Sequence, residues 1–185
     1  MHRKDKRLTE GQRTGKSRRL RLKNKPPEGE TWVWVTQEML NSPAWRYLSG
    51  NAQKIVSRLI VEHLTHAGTK NGNLICTYSD FESYGIRRNS IAVAIREAEN
   101  AGWIKVTKGW AYRGHREPSV YRLTWLPENW HYPTNDWRFA TKASMKAFKK
   151  DVSNTRRMKA ARKKRTAQVN SGENTLPTSA DEVVD

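Results

Sequence analysis

The chain contains a single cysteine, Cys76, among 185 residues, which excludes an internal disulfide and any zinc site built from several cysteines. His63 and His66 have the spacing of two ligands on one helix face. His63, however, ends an amphipathic pattern, and Cys76 reads as a small core residue, as free cysteine commonly is. No metal and no cofactor are expected. Also missing are a Gly-rich phosphate loop, a His-Glu-x-x-His pair and a Gly-x-Ser-x-Gly elbow. Carboxylates are scattered, and Asp80 and Glu82, which share a short helix, read as surface charge. The chain is therefore not expected to be an enzyme.

Long apolar runs are absent as well. Nothing approaches the ~20 residues of a membrane span, and residues 1–25 lack the apolar stretch of a secretory signal. These absences predict an intracellular chain, cytoplasmic and nucleoid-associated, with no membrane partner. A hydrophobic content of 36% is below the globular norm, so part of the chain is expected to lie outside any core.

What the chain has in excess is positive charge, +17 in all, and it is unevenly placed. Residues 1–30 carry 11 Lys/Arg against 4 Asp/Glu, and residues 138–168 carry 12 against 1. Residues 31–137 are close to balance at 12 against 9, and residues 169–185 hold 4 acids and no bases. Seven of the eight tryptophans fall within 31–130. The pattern is that of a folded module with basic arms, whose recurrent partner is a polyphosphate backbone. We expect a disordered basic arm at 1–30, a folded domain at 31–130, a basic and partly helical extension at 131–168, and a disordered acidic tail at 169–185.

Periodicity orders the module. TWVWV, residues 31–35, suits a short strand. TQEMLNSPAWRYLS suits two short helical pieces broken at Ser42-Pro43. Residues 51–64 place Ala52, Ile55, Val56, Leu59, Ile60 and His63 on one side of a helix. Asn71-Gly72 marks a turn, LICT a short strand, and Thr77 or Ser79 a cap for a helix over 77–84. Gly85 separates that helix from a second one over 88–101, and the runs 103–107 and 120–125 make a hairpin with a long polar tip, KGWAYRGHREPS. The expected fold is mainly α with a small β-hairpin: a winged helix-turn-helix domain with flexible basic extensions at both ends.

The helix at 88–101 is divided between two faces. Ile91, Ala94, Ile95 and Ala98 form an inward stripe at 100° per residue. Asn89, Val93, Arg96 and Asn100 lie opposite, with Ala92 on the flank. Arginine pairs with guanine O6 and N7, asparagine with adenine N6 and N7, and valine can meet a thymine methyl. Arg88, Asn89, Val93 and Arg96 are thus the candidate base readers. Arg87, Ser90, Asn100, Lys108, Arg113, His115 and Arg116 are the candidate backbone contacts, in keeping with a positive helix end and a basic hairpin tip. Against this stand Glu97 and Glu99, which would repel phosphate if they faced it.

SPAWRYLSGNAQKIVSRLIVEHLTHAG, NGNLICTYSDFESYGIRRNSIAVAIREAENAGWIKV and PSVYRLTWL resemble uncharacterised winged helix-turn-helix proteins of bacterial genomes and mobile elements. More distantly they resemble the winged-helix domains of plasmid and phage replication initiators. The resemblance covers about residues 31–126. It implies DNA binding with the helix at 88–101 in the major groove and the hairpin tip at 108–119 on backbone or minor groove.

The combined expectation is a non-enzymatic double-stranded DNA-binding protein, a transcriptional regulator or a replication accessory of a plasmid or phage type. A homodimer reading paired half-sites is left open, although no heptad seam is visible. Two alternatives stand beside it. One is an RNA-binding or ribosome-associated protein, with Trp110, Tyr112 and Trp130 stacking on unpaired bases. The other is a protein-interaction module of a replication or partition complex. Within 138–168 a poor apolar stripe of Phe139, Ala143, Phe148 and Val152 predicts two helical pieces broken near Ser153-Asn154.

Overall fold

The structure, a computed structural model, describes residues 28–112, 115–128 and 131–172. It is mainly helical with a three-stranded antiparallel sheet. Two short helices, α1 (Gln37–Asn41) and α2 (Pro43–Arg46), meet at Ser42. The Ser42 hydroxyl donates to the carbonyl of Met39 at 2.7 Å and accepts the amide of Trp45 at 3.2 Å, so one residue ends α1 and caps α2.

Helix α3 (Gly50–Thr65) buries Ala52, Ile55, Val56, Leu59 and His63, the three-and-four stripe of the sequence. Strand β1 (Leu74–Ile75) follows, then α4 (Tyr78–Ser83) and α5 (Arg88–Asn100). A capping box starts α4: the Thr77 amide donates to Asp80 Oδ2 at 2.7 Å, and the Asp80 amide donates to the Thr77 hydroxyl at 3.3 Å.

Helices α4 and α5 end alike. Gly85 has φ +85°, and Ile86 N–H reaches back to the Phe81 carbonyl at 3.1 Å. Gly102 has φ +75°, and Trp103 N–H reaches the Ala98 carbonyl at 3.1 Å. Both are left-handed caps that glycine adopts without steric cost. At Gly102 a side chain would also collide with the backbone, since a Cβ would lie 2.4 Å from the Asp136 carbonyl carbon.

Past Gly102 the chain forms β2 (Ile104–Thr107), the small tip strands β3 (Ala111–Tyr112) and β4 (His115–Arg116), and β5 (Val120–Leu123). The sheet order is β1-β5-β2, with Ile104 opposite Leu123 and Val106 opposite Tyr121. Ile104, Tyr121 and Leu123 are buried. Asn71 locks the far side: its Oδ1 accepts Leu123 N–H at 2.7 Å, and its Nδ2 lies 2.9 Å from the Leu123 carbonyl and 3.0 Å from those of Leu126 and Pro127.

The core centres on Trp103, whose ring meets Trp45 and Trp125 edge-on at 5.0 and 5.2 Å and stacks on Trp137 at 5.8 Å. Trp137 sits in a 3-10 turn, Asp136–Phe139, that leads to the last helix, α6 (Lys142–Gly172). Packing thus continues beyond residue 130, where the sequence placed the domain edge, through Trp137, Ala140, Met145 and Val152.

Two expectations need correction. Residues 31–35 belong to no strand, and Trp32 and Trp34 are exposed, touching each other edge to face at 4.5 Å. Strand propensity expresses fit to a pleated, half-buried surface, and no described strand lies beside this segment. The C-terminal basic region is one helix, unbroken at Ser153-Asn154. Neither residue costs more than a few tenths of a kcal/mol in a helix, and the real docking stripe, Met145, Phe148 and Val152, reaches to the very edge of that point. Phe139 and Ala143 are exposed; Met145, wholly buried, was the residue missing from the expected stripe. The arm, apart from residues 28–30, lies outside the described residues, as does the tail from residue 173; the first four residues of the tail expected at 169–185 belong to α6, which runs to Gly172. Among the described residues no helix is long and apolar enough to cross a membrane.

Candidate nucleic-acid interface

Helix α5 is held on three sides. Ile91, Ala94, Ile95 and Ala98 are buried and face the core. On one flank Glu99 Oε1 accepts the Val106 amide at 3.1 Å, covering the free edge of β2. On the other flank the Glu97 carboxylate, with the residue 4% exposed, accepts the Ser49 amide at 2.9 Å and the Ser49 hydroxyl at 2.6 Å. Both acids that threatened the outer face are therefore turned into the protein.

The fourth side is open. Arg88, Asn89, Ala92 and Arg96 are exposed along it, with Arg87 at the helix entrance. Ala92 is small enough for close approach by a partner. Asn89 accepts a hydrogen bond from the Ser90 hydroxyl at 3.3 Å, which leaves its amide hydrogens available. Arg88 bridges to Glu82 at 2.6 Å and lies 6.0 Å over the Tyr78 ring. That pair is exposed, so solvent and salt compete with it and an anion can displace it.

Val93, Ser90 and Asn100 stand differently from the other candidates. Val93 and Ser90 are half-buried and line a groove of about 370 Å³ between α5 and α6, with Ser49, Asn51, Phe148, Lys149, Val152 and Arg156 also on its walls. The Asn100 side-chain amide points to Met145 Sδ at 3.8 Å. Val93 and Ser90 thus face α6 and not the open side, and Asn100, though exposed, turns its amide to the same helix, which begins 42 residues after α5 ends. Lys108 is exposed beyond β2. His115 and Arg116 are paired across the tip with Tyr112 and Ala111, while Arg113 and Trp130 lie outside the described residues.

Electrostatics favour an anion at this surface. Glu62 is paired with Arg58 at 2.9 Å and Glu128 with Arg122 at 3.1 Å. Hydrogen bonds from the Thr77 amide and hydroxyl hold the Asp80 carboxyl below the usual range, so its charge is committed to a helix cap. Arg87, Arg96, Lys105 and Lys108 are exposed and in no ion pair among the described residues. Lys105, on the outer side of β2, was not singled out by the sequence; strand alternation opposite Ile104 and Val106 is the signal that marks it. Burial pushes the Cys76 thiol up to about 12, which keeps it protonated and inert. Among the described residues no group of three or more His, Cys, Asp or Glu is placed to hold a metal ion.

Comparison with protein-family models, with curated proteins and with solved structures found no match. The functional reading therefore rests on this geometry and on the charge pattern of the sequence.

Proposed function

We propose that the chain is a winged helix-turn-helix protein that binds double-stranded DNA, serving as a transcriptional regulator or as a replication accessory of a mobile element. In this reading α4 and α5 are the helix-turn-helix pair, β2 to β5 form the wing, and α5 enters the major groove N-terminus first. One observation carries it: α5 presents Arg88, Asn89, Ala92 and Arg96 to solvent while its two carboxylates are bonded inward. A groove about 12 Å wide admits one helix of this kind, and Arg87, Lys105 and Lys108, exposed and in no ion pair among the described residues, supply phosphate contacts around it. Val93, turned toward α6, is assigned a packing role in place of thymine contact.

The test is selection of preferred sites from random duplex DNA, followed by binding of variants to the selected site. Arg96→Ala is expected to cost about 1–3 kcal/mol and to relax one base position. Val93→Ala is expected to leave the base preference unchanged. Structured RNA at physiological salt should compete poorly. Unaltered binding of the selected site by Arg96→Ala would overturn the assignment of this face.

A further inference from the structure

Helix α6 runs back along α5. Met145 lies beside Asn100 at the end of α5, and Val152, Ser153 and Arg156 share a groove with Ser90, in its first turn, and with Asn51. The stripe that docks α6 is Met145, Phe148 and Val152, spaced i, i+3, i+7. The same stripe continues at i+11, i+14 and i+18, and there it holds Arg156, Lys159 and Lys163. The character of the inner face thus changes from apolar to cationic where α6 reaches the N-terminal end of α5. From residue 156 onward every side chain through 167 is exposed. Asp151 is the one acid in the helix, and none of Arg156, Lys159 and Lys163 is in an ion pair among the described residues.

We infer that Arg156, Lys159 and Lys163 form a phosphate-contacting edge, which lies along the DNA backbone next to the groove that α5 occupies. The inference rests on the DNA-binding reading above and adds to it a second, oriented contact. A helix is as wide as the major groove, so α6 cannot share that groove with α5 and must meet the ridge beside it. Arg156 to Lys163 spans about 10 Å at 1.5 Å per residue, long enough for the three side chains to reach neighbouring phosphates of one strand. A polar and basic inner face has no reason to dock on protein, since no apolar surface is presented by it. Lys150, Arg157 and Lys164 make an equal charge on the same helix but lie about 120° around it, away from α5.

This difference in direction supplies the experiment. Two full-length triple variants are compared with the wild type for duplex binding from 50 to 200 mM salt: R156Q/K159Q/K163Q and K150Q/R157Q/K164Q. Glutamine keeps helix propensity close to that of lysine and arginine, and each variant loses three charges. The inner triple is expected to reduce the slope of log K against log salt by about 2–3, since each phosphate contact contributes about 0.9. The outer triple is expected to reduce it by less than 1. Equal slopes for the two variants would overturn the oriented edge and leave the DNA-binding reading intact. Failure of the wild-type chain to bind duplex DNA would overturn both.

Discussion

Glu97 on α5 accepts the amide and the hydroxyl of Ser49, 48 residues away, through its two carboxylate oxygens. Ser49 in turn accepts the Ala52 amide at 3.3 Å and so caps α3. One carboxylate thus fixes α5 against the start of α3 and removes a negative charge from the outer surface. Glu97→Ala should destabilise the fold by about 2–3 kcal/mol, the range for losing hydrogen bonds to a buried charged group. Urea unfolding measures it, and a midpoint equal to the wild type would show that the contact contributes nothing. Glu97→Gln, which keeps an acceptor oxygen, should lose less.

Asn71 joins the loop before β1 to the end of β5 through both ends of its amide. Aspartate has nearly the same shape but no donor. Asn71→Asp should therefore leave the carbonyls of Leu123, Leu126 and Pro127 facing a carboxylate in a site where Asn71 is 2% exposed. A loss of at least about 2 kcal/mol is expected, together with partial protection at low pH, where the carboxyl becomes a donor. Thermal melts of the variant at pH 4 and pH 7 would test the second point; a variant no more stable, relative to wild type, in acid would contradict it.

His63 is buried at the end of α3, its Nδ1 has no hydrogen-bond partner among the described residues, and burial lowers its pKa from the ordinary 6.5. Below that ordinary value the unfolded chain takes up the proton and the folded one resists it. The contribution of neutral His63 is then full above about pH 6.5 and declines as the pH falls toward the folded pKa. The melting temperature should fall between pH 7.5 and pH 5.5, and His63→Leu should flatten that dependence. A slope that survives the substitution would place the titrating group elsewhere.

Local elements that carry their own signals can be read from the residues that form them. Ser42-Pro43 specifies a break between two helices, the stripe from Ala52 to His63 specifies α3, and Gly85 and Gly102 specify the two ends that isolate α5. Alternation in 103–107 and 120–125 specifies the hairpin, whose paired strands are 104–107 and 120–123, because inward and outward residues of a strand differ by one position. Asn89 and Arg96 are legible as an outer face from the 100° step of a helix, whereas Arg88 falls nearer the inner stripe and is a candidate only through its place in the first turn.

What lies next to those faces depends on the packing of distant elements. TWVWV has strand-forming residues but no described neighbour strand, and pairing is a property of two segments. Val93 and Asn100 are outward from the core yet turned to α6, whose docking residue Met145 is 45 positions from Asn100. Glu97 and Glu99 look on the helix wheel like charges that oppose an anion. Their partners, Ser49 and Val106, come from a distant helix start and from an edge strand, and only the folded chain brings them within hydrogen-bonding reach. Periodicity gives the direction in which a side chain points; what it meets there depends on contacts between elements far apart in the chain.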